Sequence, residues 1–579
     1  MKKTVLATLC FIMAISMLAA CGGGGGGDAT TAGAAATTAA GAAATTTAAA
    51  ATEAATTAAA TTAAATAAAA ATTAGAAAGG EPDDNFNAEG LPIVNTPVTI
   101  DVLAVRYLSH GDAFKTNSWY TQLEQDTNVI IDWQIAYDSD WAEKKSIMFA
   151  SGDIPSVIFG ANGFSDTDIL TNLDYFIPLN DLIEDYMPRL KSVFEQEPDM
   201  KKIITNLDGK IYSLSKRLPY RPIVSYQPFI NKVWLDNLGL EVPDTTEDLF
   251  DALMAFKEQD ANGNGDANDE IPFTGSAGNS FFGNFNLYSL FGANANGEGL
   301  TIIDDTAIFV PMTDEFMEAI KYARRMYAEG LMDNEYFTQD GSMANAKRQN
   351  PDLCIVGFEY AWTPDATLAG HADEFITIPP PARPDGQRFS TSIRESNIGR
   401  RELEISIYCK YPEVVARWAD EFYTYDAAVQ NYWGPFGVGM EKLADGTYRM
   451  LPPDEGESID YRSWATSNRD FGPKWMPADY DNFDLIKTNG DGLKWEINKI
   501  GEPYSYPTFP PVIYSVEQAD QIQSYRTDIR TYVGTTTAKW ITEGGIESEW
   551  DGYISQLRAM GVDDWMAIHQ DAYDNYMNS

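Results

Sequence analysis

From Asp260 to Glu270 the chain reads Asp-Ala-Asn-Gly-Asn-Gly-Asp-Ala-Asn-Asp-Glu. Oxygen-bearing side chains at Asp260, Asn262 and Asn264, with Gly265 permitting a sharp turn, reproduce the first half of an EF-hand loop, in which Asp266 adds its backbone carbonyl. Hard cations such as calcium need this density of oxygens. The second half departs from that pattern, because an EF-hand places its closing Glu at the position of Ile271, whereas here the carboxylates are Asp269 and Glu270. Asn268 could replace one of them. The segment is therefore either a calcium site built from Asp260, Asn262, Asn264, Asp266, Asp269 and Glu270, structural in role, or a metal-free Asn/Gly turn.

Catalytic chemistry has little to work with. The histidines are His110, His371 and His569, and there is no HExxH, no GxSxG nucleophile elbow and no P-loop. Two carboxylates can suffice for a glycoside hydrolase, and 83 acidic residues make chance pairs unavoidable, so a secreted carbohydrate-active enzyme stays open as the alternative. Of the cysteines, Cys354 and Cys409 lie in apolar, strand-like text, so buried thiols are the default reading and a disulfide outside the cell is the alternative. No zinc spacing is present. With 40 basic residues the net charge is -43, which removes nucleic acid and an anionic membrane surface as partners for the folded body.

The ends of the chain narrow the reading. Residues 1–21 carry Lys2 and Lys3, an apolar run to Leu18, and then Ala19, Ala20 and Cys21. That is a secretory signal ending in a lipobox, which predicts that Cys21 is diacylated and becomes the mature N-terminus. From Gly22 to Gly80 the text is Gly, Ala and Thr with Asp28 and Glu53 the only charges. Nothing there can bury a face, so residues 22–91 are expected to form a disordered tether, of span about 40–45 Å as a random coil. The folded domain is expected over 92–579.

Within it, strands are predicted at Val98–Val105, Val129–Ile135 and Ser156–Phe159, with helices at Asn117–Gln125 and Trp141–Ala150 between them. This βαβαβ order implies a parallel sheet wrapped by helices, with ligands at the carboxyl ends of the strands. Thr245 and Asp248 form a capping box before the helical repeat of Leu249, Leu253 and Phe256. Another amphipathic helix spans Thr313–Glu329 and stops at Gly330. Strand-like text returns at Leu353–Phe358 and Glu404–Tyr408, and Val516–Met577 is helical. No internal repeats are visible that would suit a structural or adhesive protein.

Several phrases, taken in order, resemble the family 1 extracellular solute-binding proteins, in particular the large lipoproteins of carbohydrate ABC transporters. They are Ala150-Ser151-Gly152-Asp153-Ile154-Pro155, Asp208-Gly209-Lys210-Ile211-Tyr212, the run Ile230–Leu240 with Pro243 behind it, Tyr327-Ala328-Glu329-Gly330-Leu331 and Tyr573-Asp574-Asn575-Tyr576. Ser156 stands where the family usually has Asp. The resemblance implies an α/β, two-lobe periplasmic-binding-protein-like fold with hinge crossings, lobes of discontinuous segments and a helical C-terminal region. It also implies capture of a sugar or oligosaccharide between the lobes for ABC permease subunits, with no catalysis, by a monomer attached to the membrane through its lipid alone. The family's shorter calcium loop, closing on adjacent Asp and Glu before Ile-Pro, matches Asp269-Glu270-Ile271-Pro272. Sugar rings stack on aromatic faces and their hydroxyls take polar partners, so residues near expected cleft loops become candidates: Trp119, Tyr360, Trp362, Arg394, Trp433 and Phe436.

Overall fold

The computed structural model describes residues 84–579, apart from 108–109, 219–223, 277–284, 392–397, 455–457, 477–481, 489, 507 and 579. Cys21, the segment before residue 84 and Arg394 lie outside the described residues.

The first lobe follows the predicted alternation. β1 (Val98–Arg106), β2 (Val129–Tyr137) and β3 (Val157–Phe159) are parallel, with β1 between the other two. Helices Ser118–Thr127 and Asp138–Ser151 connect them. The Asn117 side chain caps the former by accepting from the Tyr120 N–H, and Gly152 ends the latter at φ +70°, a conformation that costs glycine little. β4 (Lys216–Arg217) then carries the chain out of this lobe.

In the second lobe, β5 (Gln227–Asn231), β6 (Ile271–Phe273), the hairpin of β7 (Leu300–Ile303) and β8 (Thr306–Phe309), β9 (Val356–Ala361) and β10 (Phe375–Thr377) follow in turn. The sheet order is β10-β5-β9-β6, with β5 antiparallel to both neighbours. β11 (Ile398–Gly399) returns along β4, antiparallel to it, and β12 (Leu403–Ile405) closes the edge of the first sheet beside β3. The β4/β11 pair is thus a two-way crossing between lobes. β13 (Met440–Lys442), β14 (Tyr448–Met450) and β16 (Phe483–Asp484) form a small separate sheet, while β15 (Lys474–Trp475) joins the crossing at β4.

Two separate apolar cores explain the two lobes. One gathers Val102, Phe159, Leu190, Leu403 and Trp418; the other gathers Trp234, Leu253, Phe256, Phe316, Phe358, Trp540 and Trp565. The capping box at Thr245 and Asp248 is formed, and the helix Thr246–Glu258 buries Leu249, Leu253 and Phe256 as their spacing requires. Its Phe256 meets Trp234 edge-on at 5.2 Å, and a Cβ on Gly357 of β9 would come within 2.5 Å of the Phe256 ring. A side chain at 357 would push that ring off its seat, at about 1–3 kcal/mol. The helix Asp314–Ala328 packs on the same core, and helices Val516–Glu543, Ile546–Ala559 and Val562–Asn578 complete the C-terminal region.

Three boundaries differ from the sequence reading. Residues before Pro92 already pack on the body: Asn85 accepts from the Thr96 N–H at 2.6 Å, Phe86 packs edge-on against Tyr186, and Arg417 donates to the Gly90 carbonyl at 2.8 Å. The strand expected at Leu353–Phe358 runs instead over Val356–Ala361, because pairing with β5 sets its register and matches Ala361 with Gln227. The strand expected at Glu404–Tyr408 is Leu403–Ile405, cut short by a turn in which the Cys409 N–H bonds the Ser406 carbonyl. Cys354 and Cys409 are both free and buried, in different lobes.

Candidate functional site

The carboxyl ends of β1 and β3 and those of β6 and β9 give each lobe one edge where loops gather. On the first lobe that edge is built around Arg106, the last residue of β1. Its buried guanidinium donates to the Gly111 carbonyl at 2.9 Å, to the Trp464 carbonyl at 2.6 Å and to Asn468 Oδ1 at 2.6 Å, so the loop after β1 is tied to the segment 464–468. Burial lowers its pKa to about 10, still far above neutrality. Above this tie His110 stacks flat on Trp464, centroids 4.7 Å apart, while Tyr107, 43% exposed, meets His110 edge-on. Burial first, and the nearby Arg106 second, push the His110 pKa down to about 4, so the stacked ring is neutral.

Asp470 accepts from Trp464 Nε1 at 2.9 Å, which fixes the indole. The turn carrying Asp470 and Phe471 is pinned from below by Lys474, whose ammonium donates to the carbonyls of Asn468, Phe471 and Gly472 at 3.1, 2.5 and 3.1 Å. Burial pushes the Lys474 pKa down to about 7. Behind the same edge, Arg469 is fully enclosed and bonds Asp491 at 2.8 Å and Asp460 at 3.0 Å. The Asp460 carboxyl is raised to about 6, by burial foremost, and Asp491 and Asp365 push the same way.

On the second lobe the corresponding edge holds Tyr226 just before β5, 44% exposed, and Trp362 just after β9, half-buried. Lys494, from helix Gly490–Gly501, sits 4.3 Å over the Trp362 ring and donates to the Ser225 carbonyl at 2.5 Å. Burial alone drives its pKa well below the usual lysine range. Asp365 bridges towards the first edge through the Gly490 N–H at 3.5 Å and its repulsion of Asp460. The two edges together offer aromatic faces, a carboxylate, a lysine and a neutral imidazole, a set suited to holding a polyhydroxylated, partly apolar ring.

The sequence-derived candidates divide sharply. Trp362 stands on this edge. Trp433 does not: it is fully buried and donates through Nε1 to Asp491 at 2.8 Å, leaving no face open. Tyr360 points into the second core, where its burial pushes the phenol pKa far up. Trp119 packs edge-on against Tyr120 and Phe422 at the margin of the first core. Phe436 stacks on Tyr448, 6.1 Å between centroids, in the small core beneath β13 and β14. Their positions after strands or in glycine-broken loops are real, but side-chain direction sends them inward. Sequence reasoning missed His110, Trp464, Asp470 and Lys494, whose local text carries no distinguishing signal. A separate open groove of about 640 Å³ lies between helix Pro198–Lys202 and the last helix, but its aromatic lining is Tyr576 with Lys202 placed 4.7 Å over the ring.

The oxygen-rich loop joins the helix Thr246–Glu258 to β6. Asp260 accepts from the backbone N–H groups of Asn264 and Gly265 at 3.0 and 2.8 Å, and the Asn262 and Asn264 amides donate to Asp269 at 3.0 and 2.6 Å. Asp266 accepts from Asn268. Glu270 Oε1 accepts from the Ala261 N–H at 2.9 Å, whereas its Oε2 is buried without a hydrogen-bond partner, and burial raises its pKa. An orphaned carboxylate oxygen beside three other acidic side chains fits a hard cation. Asp260, Asp269 and Glu270 with the Asn262 and Asn264 carbonyls would hold it.

A model of the family described as "Bacterial extracellular solute-binding protein" matches residues 111–429. The fructooligosaccharide ABC transporter substrate-binding protein FusA of Streptococcus pneumoniae is 32% identical over 475 residues, 79% of this chain and 86% of that one. Its structure in complex with kestose aligns with TM-score 0.72 and 31% identity over 83% of this chain and 100% of that one. A FusA EF-hand mutant in complex with fructo-nystose aligns with the same TM-score at 30% identity, over 83% of this chain and 100% of that one. Lipoprotein LipO of Bacillus subtilis is 27% identical over 221 residues, 36% of this chain and 40% of that one.

Proposed function

The chain belongs to the bacterial extracellular solute-binding proteins, and on that premise we propose that it captures an oligosaccharide between its lobes and hands it to an ABC importer. The observation that carries the ligand class is the aromatic group at the loop edge of each lobe, His110 on Trp464 in one and Trp362 under Lys494 in the other. Stacking supplies affinity without a net charge on the ligand, and the polar groups around it set orientation. Ligand bound to both edges would draw the lobes together about the β4/β11 crossing, and the closed form is what a permease would recognise. Because FusA is named for fructooligosaccharides, kestose-type sugars are the first ligands to try.

Cys21 would carry the lipid and residues 22–83 the tether, with the body acting as a monomer. Among the described residues no helix is long and apolar enough to cross a membrane. The loop Asp260–Glu270 would hold calcium as a structural ion, supported by the orphaned Glu270 oxygen and by the EF-hand noted for FusA.

Calorimetry of the mature chain against kestose and a broad glycan panel tests the reading. Saturable heat without turnover supports it; hydrolysis of a panel member with no non-hydrolysed ligand would overturn it in favour of a carboxylate enzyme. Cys21→Ser should release the protein into the medium, and retention at the membrane would remove the anchor.

A further inference from the structure

Far from the cleft, Cys354, His371 and Glu374 come together with one ligand atom from each lying within 4.8 Å of the others. Their sequence spacing matches no zinc motif. The fold assembles them: Cys354 leads into β9, Glu374 leads into β10, and β5 lies between these two strands. We propose that this cluster is a binding site for a borderline-to-soft divalent metal ion of the zinc type, distinct from the oxygen-rich loop.

Hydrogen-bond logic carries the inference. His371 Nε2 lies 2.7 Å from the Asn350 carbonyl oxygen, which can only accept, so Nε2 bears the hydrogen. In the neutral ring Nδ1 is then a lone pair, yet it lies 2.8 Å from Glu374 Oε1, another acceptor. Two acceptors at that distance share a proton, as an imidazolium–carboxylate pair, and a metal ion bound to both groups would take that proton's place. Imidazole ligands are commonly oriented by a backbone carbonyl on the other nitrogen, and Asn350 supplies that orientation here.

Asn231 supplies a second one. Its Oδ1 accepts from the Trp234 N–H at 3.0 Å at the start of helix Lys232–Leu238, which fixes the amide so that Nδ2 faces Cys354 Sγ at 3.4 Å and Glu374 Oε2 at 3.1 Å. A donor aimed at both a sulfur and a carboxylate stabilises their anionic, metal-ligating forms. A thiolate, an imidazole and one carboxylate are a donor set for zinc, whereas calcium takes oxygens. Cys354 is buried, and His371 and Glu374 keep 14% and 30% of their side chains exposed, which gives an ion a route in and leaves a fourth position for water. Tetrahedral bonds of roughly 2.0–2.3 Å require the three ligand atoms, now within 4.8 Å of one another, to readjust around the ion. On binding, the thiol proton and the proton between His371 and Glu374 leave to solvent.

The test is cobalt(II) titration of the full mature chain in saturating calcium, so that the oxygen-rich loop is already satisfied. The expected result is one equivalent bound, with a thiolate-to-cobalt absorption in the near ultraviolet that zinc bleaches. Cys354→Ser should abolish that absorption, and His371→Gln should weaken cobalt binding at least about tenfold, while Glu270→Gln in the oxygen-rich loop leaves both unchanged. If Cys354→Ser fails to fold, His371→Gln and Glu374→Gln carry the test by calorimetry with zinc alone. The proposal is overturned if no thiolate–cobalt absorption appears, if the absorption survives Cys354→Ser, or if zinc affinity is the same in His371→Gln; the proton would then be the bridging cation.

Discussion

The sheet of the second lobe has two edges with opposite characters. At the cleft edge stand Tyr226, before β5, and Trp362, after β9, with Lys494 laid on the indole. At the other edge stand Glu270, before β6, Cys354, before β9, Glu374, before β10, and Asn231, where β5 ends. The difference follows from strand direction: β6, β9 and β10 all start at the outer edge and finish at the cleft, while β5 runs the other way. Aromatic faces and a buried lysine suit a neutral, polyhydroxylated ligand. Clustered carboxylates, thiol and imidazole are donor groups for a cation, which on the proposed reading would tie together the loops that feed the strands. On the proposed reading, capture and reinforcement are separated across the width of one sheet.

The separation can be broken or sharpened by experiment. The largest effect is expected at the outer edge, where calcium at a hundred to a thousand times its Kd should stabilise the fold by about 3–4 kcal/mol. Asp260→Asn combined with Glu270→Gln should erase that gain in a melting experiment while kestose affinity stays unchanged; a parallel loss of affinity would join the two edges functionally. Next comes acid. His110 and His569 both have native pKa values lowered to about 4 by burial, against about 6.5 unfolded, so the unfolded chain takes up protons first. The contribution of these histidines is therefore full above pH 6.5 and is lost as pH drops towards 4, by at most about 3 kcal/mol for each. His569→Gln should flatten the urea-midpoint profile over that window, and a profile that stays equally steep would assign the loss elsewhere.

A smaller change is expected at the cleft edge. Trp362→Ala should weaken oligosaccharide binding about tenfold or more, roughly 1.4 kcal/mol, with the calcium response of the melting temperature intact. If the melting temperature falls and affinity does not, Trp362 is packing like Trp433. The smallest effect is Lys494→Met, which removes a buried cation with no carboxylate beside it: stability should rise by about 1 kcal/mol and affinity fall a few-fold as the cation over the indole is lost.

How much of this was visible in the sequence depended on range. The capping box at Thr245, the βαβαβ opening and the oxygen spacing of Asp260–Glu270 are local, set within one or two turns of chain, and they appear where the text puts them. Trp362 and Trp433 both sit in short aromatic phrases beside a strand or helix end, and only the packing of distant segments leaves one half-buried and seals the other. The stack of His110 on Trp464 joins residues that the Arg106 guanidinium brings together across most of a lobe. Cys354, His371 and Glu374 meet because two strands flank β5, which no spacing rule encodes.

The chain's point of departure from the body has a mechanical meaning. Asn87 and Gly90 give their carbonyls to Arg417, and Ile93 and Val94 are buried in the first core, so the N-terminal end of the ordered chain is riveted to the first lobe alone. The first described residues are thus part of the first lobe's own core, not an appendage to it. The second lobe reaches that end of the chain through the β4/β11 crossing, so a substitution at Arg417 should loosen the start of the body without touching the cleft edge of the second sheet.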